Sequence, residues 1–93
     1  MLGQRICELR TSFGWSQVEL AKRLSVAKQT VSNWENGNIQ PSIDMLVRLS
    51  QIFHVTTDYM LGFEDVPRLD VQGLSSAAIA HIALLIDDLR GEK

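Results

Sequence analysis

Ser16-Gln17-Val18-Glu19-Leu20-Ala21 and, shortly after it, Lys28-Gln29-Thr30-Val31-Ser32-Asn33-Trp34-Glu35-Asn36-Gly37 decide the fold of this chain. Ser16 followed at the third position by Glu19 is a reciprocal capping pattern: the serine hydroxyl takes the amide three residues on, and the glutamate reaches back to the cap's own amide. A helix therefore starts at a defined residue. Leu20, Ala21 and Leu24 fall on one face of it at helical spacing, and Val31 and Trp34 do the same on a second helix. Ser25-Val26-Ala27 forms the turn between them. The outward face of the second helix is left with Lys28, Gln29, Ser32 and Asn33, all ammonium, amide and hydroxyl groups. Such a set suits base edges and phosphates.

The flanking sequence supplies further helices. Leu2, Ile6, Leu9 and Phe13 recur at steps of four, three and four, predicting a helix over residues 2–13 that Gly14 stops. Helix two is expected over 16–24 and helix three over 28–36, ended by Gly37, the residue type that most readily takes the left-handed closing conformation. Ser42, after Pro41, caps a fourth helix reaching about residue 53, with Ile43, Leu46, Leu49 and Phe53 as its buried stripe. Thr56 or Thr57 caps a short fifth helix carrying Tyr59, Met60 and Leu61 and closed by Gly62. Residues 63–73 contain Pro67, Gly73 and several acids without periodicity, and read as a linker. Ser75 then caps a sixth helix to about Arg90, in which Ile79, Ile82, Ile86 and Leu89 form a heptad-like seam widened by Ala78, Ala83, Leu84 and Leu85. The expected division is a helical domain at 1–62, a linker at 63–73 and a C-terminal amphipathic helix at 74–93.

Over residues 2 to about 62, Gln17, the Leu20-Ala21 pair, the Val31/Trp34 spacing and Glu35-Asn36-Gly37 resemble the lambda-repressor-like, Cro/CI-type helix-turn-helix family, also called XRE. The match is specific because capping box, small residue, turn and recognition helix all stand at the expected offsets. The resemblance implies an all-α, five-helix DNA-binding bundle with a sixth helix appended, and a sequence-specific regulator of transcription, expected to be a repressor. Such a protein acts as a homodimer on an inverted repeat of double-stranded DNA, with helix three in the major groove and half-sites about 34 Å apart.

Residue by residue, the resemblance places Lys28 and Gln29 at the end of the recognition helix that reads bases; a glutamine there bonds adenine in bidentate fashion, and a lysine suits guanine or phosphate. Ser32 and Asn33 reach either further bases or the sugar-phosphate wall. Thr30 either offers its methyl to a thymine or lies along the helix. Gln17, in the first turn of helix two, is expected to donate its side-chain amide to a phosphate that also meets the helix N-terminus. Asn36, Asn38 and Gln40 form a polar loop that either meets the DNA backbone or serves as turn chemistry. Lys22 and Arg23 are phosphate contacts by charge alone, or solvated helix residues. Arg10 and Glu35 match a pair that in this family bridges helices one and three, orienting the recognition helix without touching DNA. Trp15 either staples onto Leu20 or lies exposed.

Ile79, Ile82, Leu85, Ile86 and Leu89 are the expected dimerisation residues, since an apolar seam buries its face against its own copy; docking back onto the bundle is the competing role. The net charge of −2 fits a DNA binder only once it is divided by segment: residues 1–62 carry six cations against five anions, whereas 63–93 carry three against six. Phosphate attraction must come from local placement and helix N-termini, with a shallow salt dependence. That weak charge keeps a second class open, an antitoxin-like or anti-repressor module that engages a protein partner through helix six.

Enzyme chemistry finds no support: serines lack a base and orienter in any recognisable arrangement. His54 and His81 stand far apart without Cys or acidic residues at ligand spacing, so no metal or other cofactor is expected. The lone Cys7 excludes an internal disulfide, and with no apolar stretch near membrane-spanning length or signal-like run, a cytoplasmic setting is expected. At 93 residues the sequence has room for one core and none for a self-cleaving protease domain.

Overall fold

The computed structural model describes residues 1–91, and all regular structure among them is helical. Six helices follow in order: α1 (Leu2–Ser12), α2 (Gln17–Leu24), α3 (Lys28–Glu35), α4 (Ile43–Phe53), α5 (Thr57–Leu61) and α6 (Ser76–Leu89). Four of the six begin on a side-chain cap. The hydroxyls of Ser16, Ser42, Thr56 and Ser75 accept from the amides of Glu19, Met45, Tyr59 and Ala78, each satisfying an orphan donor of a first turn. At Ser16 the capping box is complete, with the Ser16 amide donating to Glu19 Oε1 at 2.7 Å.

The core sits where α1 to α5 converge: Ile6, Leu20, Ala21, Leu24, Val31, Trp34, Leu49, Phe53 and Met60 are buried. Burial of each large side chain in this set contributes about 1.5–3 kcal/mol, and α1, α2 and α3 supply six of the nine residues. The pattern of α4 differs from expectation at one position. Ile43 is 80% exposed, because the face of α4 that meets the bundle is centred on Leu49 and Phe53 and the first helical residue falls to its side. Trp15 neither lies exposed nor depends on Leu20 alone; it is half-buried, with its ring 4.9 Å from Phe13 and 5.8 Å from Phe53. Phe13 ends up just beyond α1, as its C-cap.

Residues 63–75 carry no helix and lead to α6, which has no buried residue. Ile82 looks onto a groove of about 600 Å³ lined also by Phe13, His54, Leu69 and Leu74. Leu84, Leu85 and Leu89 are exposed, Leu89 to 78%.

Candidate nucleic-acid interface

The turn before α3 is closed on both sides. Ser25 takes the left-handed conformation at φ 58°, and the amides of Ser25 and Val26 return to the carbonyls of Lys22 and Ala21. From α4, Arg48 Nη1 donates to the Leu24 carbonyl at 3.0 Å and covers another free acceptor at the end of α2. α3 then lies against both α1 and α2, anchored by Val31 and Trp34.

Its far end is held by charge. Arg10 Nε donates to Glu35 Oε2 at 2.6 Å and Arg10 Nη2 to Glu35 Oε1 at 3.0 Å, with only 13% and 7% of the two side chains exposed. The forked geometry is the strong form of such a pair. The same guanidinium donates through Nη1 to the Trp15 carbonyl at 2.8 Å, and Gln17 Nε2 donates to Glu35 Oε1 at 3.0 Å. Three segments of chain, the end of α1, the start of α2 and the end of α3, thus meet at one carboxylate, and the loop after α1 is tied in through the Arg10 guanidinium. Burial pushes the Glu35 carboxyl up, but the hydrogen bonds from Arg10 and Gln17 and the guanidinium charge outweigh it and hold it below the usual range. The Glu35 hydrogen bond raises Arg10 further above its ordinary value.

A feature that periodicity did not reveal lies beside this junction. A Cβ on Gly3 would be driven into the carbonyls of Trp34 and Glu35, so only glycine lets the start of α1 approach the end of α3 this closely. The signal in the sequence was a bare Gly inside an otherwise good helical pattern.

The residues proposed to meet DNA fall into two groups. Lys28 and Gln29 are exposed at the start of α3, with Thr30, Ser32 and Asn33 half-buried behind them. Gln29 Nε2 donates to Asn33 Oδ1 at 3.1 Å. Asn36 and Asn38 are exposed in the following loop, where the Asn36 side-chain oxygen accepts from the Asn38 amide at 3.1 Å, an Asx-type turn. The second group is on α2. Gln17, expected to donate its side-chain amide to a phosphate, is half-buried and gives one of its two N–H groups to Glu35 Oε1. Arg23 is exposed and lies over the Trp15 ring at 4.1 Å, a cation–π contact. Lys22 remains exposed.

Among the described residues no three His, Cys, Asp or Glu side chains gather as a metal site, and no helix is long and apolar enough to cross a membrane. Cys7 is half-buried with its Sγ 3.6 Å from Arg10 Nη2.

A polar strip on a helix held rigidly by the helix before it is the arrangement that defines helix-turn-helix proteins. Comparison with known proteins agrees. A family model described as Helix-turn-helix matches residues 7–60. The HTH-type transcriptional regulator ImmR of Bacillus subtilis is 35% identical over 78 residues, covering 84% of this chain and 61% of that protein. The regulator AnsR of the same organism is 34% identical over 82 residues, covering 88% of this chain and 71% of AnsR. Among solved structures, a complex of the SinR and SinI proteins superposes with a TM-score of 0.65 at 30% identity, over 96% of this chain and 79% of that one. A transcriptional regulator from Listeria innocua, at 24% identity and the same TM-score of 0.65 over 98% of this chain and 94% of its own, shares the fold. The chain belongs to the XRE, or Cro/CI-type, family of helix-turn-helix DNA-binding transcriptional regulators. It spans about three-fifths of the length of ImmR, 61%.

Proposed function

We propose that this chain is a sequence-specific regulator, acting as a repressor, that binds an inverted-repeat operator as a homodimer in the cytoplasm. Residues 1–62 are the DNA-reading unit in this account and α6 pairs the chains; the last two residues of the expected 74–93 segment lie outside the described residues. The observation that carries it is the outward strip of α3, where Lys28 and Gln29 are exposed ahead of Ser32 and Asn33 while Val31 and Trp34 of the same helix are buried. A helix anchored on one side and polar on the other fills a major groove about 12 Å wide without exposing apolar surface to it. Asn36 and Asn38 stand where they meet the adjoining sugar-phosphate backbone.

Dimerisation is supported by α6. A helix with no buried residue and with Ile79, Leu85, Ile86 and Leu89 exposed leaves an apolar face that a second copy can cover. Two recognition helices related by a two-fold axis then enter successive major grooves about 34 Å apart. Sedimentation tests this part: the full chain is expected to run as a dimer and the Leu85→Glu, Leu89→Glu variant as a monomer with weakened operator binding. An unchanged mass in the variant contradicts it.

A second reading has its own support. The exposed leucines of α6 equally suit a different protein, and the SinR structure to which this chain is similar is a complex with the SinI protein. In that reading α6 receives a protein partner and DNA binding is secondary. Partner capture that survives Lys28→Ala with Gln29→Ala, in a chain that selects no DNA sequence, separates the two.

A further inference from the structure

We propose that Asn33 is a positioning residue that makes Gln29 select adenine over guanine; the inference rests on the DNA-reading role of α3 given above. Gln29 and Asn33 stand four residues apart on one face of α3 and are joined by the 3.1 Å bond from Gln29 Nε2 to Asn33 Oδ1. The two partners are unequal. Gln29 is exposed, whereas Asn33 is half-buried, and its backbone carbonyl accepts from the amides of Asn38 and Ile39 at 3.0 and 3.3 Å, tying the Asn33 main chain to the following loop. The half-buried Asn33 side chain is the more confined member, and the exposed Gln29 is the one whose orientation is being set.

The consequence follows from counting hydrogens. A primary amide has one oxygen and two N–H groups. A free glutamine in the major groove has two productive poses on a purine. In one, its oxygen and one N–H face adenine N6 and N7; in the other, the amide is turned so that both N–H groups face guanine O6 and N7, both acceptors. Asn33 takes one of the two hydrogens. The outward edge of Gln29 then shows one acceptor beside one donor, which complements adenine. Against guanine the same edge sets the Gln29 oxygen against a second acceptor. Asn33 thereby decides between two bases without needing to touch either.

The test uses the full chain and the duplex it enriches from a random pool, with competition binding by duplexes carrying G·C for A·T at each position in turn. The wild-type protein is expected to prefer adenine about ten- to a hundredfold at one position of each half-site, a preference that Gln29→Ala abolishes. Asn33→Ala is expected to reduce the preference at that same position to less than about threefold while leaving discrimination elsewhere intact, which also shows that the variant is folded. Asn33→Asp is expected to keep it, because a carboxylate oxygen still accepts the amide hydrogen, although overall affinity falls beside phosphates. Asn33→Lys, with donors and no acceptor, is expected to lose it and provides the same reading should the alanine variant fail to fold. Retention of the adenine preference in Asn33→Ala or Asn33→Lys overturns the inference, as does loss at a different base pair only, which assigns Asn33 to direct contact. In both of those outcomes α3 still reads DNA. Failure of the wild-type chain to enrich any sequence removes the inference together with the reading beneath it.

Discussion

Gln17 and Glu35, eighteen positions apart in the chain, are joined by a 3.0 Å hydrogen bond from the side-chain amide to the carboxylate. The bond links the first turn of α2 to the last residue of α3, and the same oxygen receives Arg10 from α1. The orientation of the recognition helix is therefore fixed at both ends: by Val31, Trp34 and the Arg48-covered turn on one side, and by this carboxylate on the other.

Removing either partner of the ion pair strands the other in a site with little solvent. Arg10→Met and Glu35→Leu are each expected to lose about 3–5 kcal/mol, and the double variant much less than the sum. Thermal or denaturant melts of the three variants check this. Additive losses show that the pair contributes nothing as a pair.

Acid should expose the same group. Glu35 is held below the ordinary glutamate value near 4.3, so its contribution is complete above that value and declines as pH falls through it and on towards the lower folded value. Melts from about pH 6 down to about pH 3 are expected to lose stability mostly below about pH 5. Glu35→Gln, which cannot titrate, is expected to start less stable and to flatten that part of the curve.

Gly3→Ala tests the close approach of α1 to α3. An alanine favours an ordinary helix interior, by up to about 1 kcal/mol over glycine, so a generic position would gain stability. Here the added carbon meets the Trp34 and Glu35 carbonyls, and a loss of about 1–3 kcal/mol is expected. A gain would show that the two helices are free to separate.

Salt dependence follows from the few cations near α3. With Lys22, Lys28 and Arg23 exposed, Arg23 over the Trp15 ring, each protomer of the proposed dimer is expected to bring at most three positive side chains to the duplex. For a dimer the slope of log affinity against log salt should stay within a magnitude of about 5, and Lys28→Ala should reduce it by about 2. Titrations at several salt concentrations measure both. A much steeper slope would require a basic surface that these residues do not provide.

How much of this was legible in the sequence depends on the range of the interaction. Caps are local, and Ser16, Ser42, Thr56 and Ser75 announce four helix starts because each hydroxyl needs only an amide three residues on. Val31 and Trp34 follow from helical spacing in the same way. Ile43 is exposed although periodicity puts it on the apolar stripe, because spacing gives an apolar face without saying where the bundle centres its contact on that face. Gly3 shows locally only as a bare glycine in a helical pattern, and the reason for it, carbonyls some thirty residues away, has no local signature. The bond from Gln17 depends on Glu35 arriving beside it, and the stacking of Trp15 on Phe53 depends on α4. The candidate interface was thus readable where one helix decides it, and unreadable where tertiary contact chooses between two uses of one side chain.

Duplex reading is proposed for the strip beginning at Lys28 and Gln29. Selection from a random duplex pool at near-physiological salt, run in parallel with the full wild-type chain and with Lys28→Ala, Gln29→Ala, tests it most directly. The account predicts that the wild type enriches an inverted repeat with half-site centres about one helical turn apart, about 34 Å, and that the variant, folded by its melt, enriches none. Enrichment of the same repeat by both proteins, or of nothing by the wild type, contradicts it.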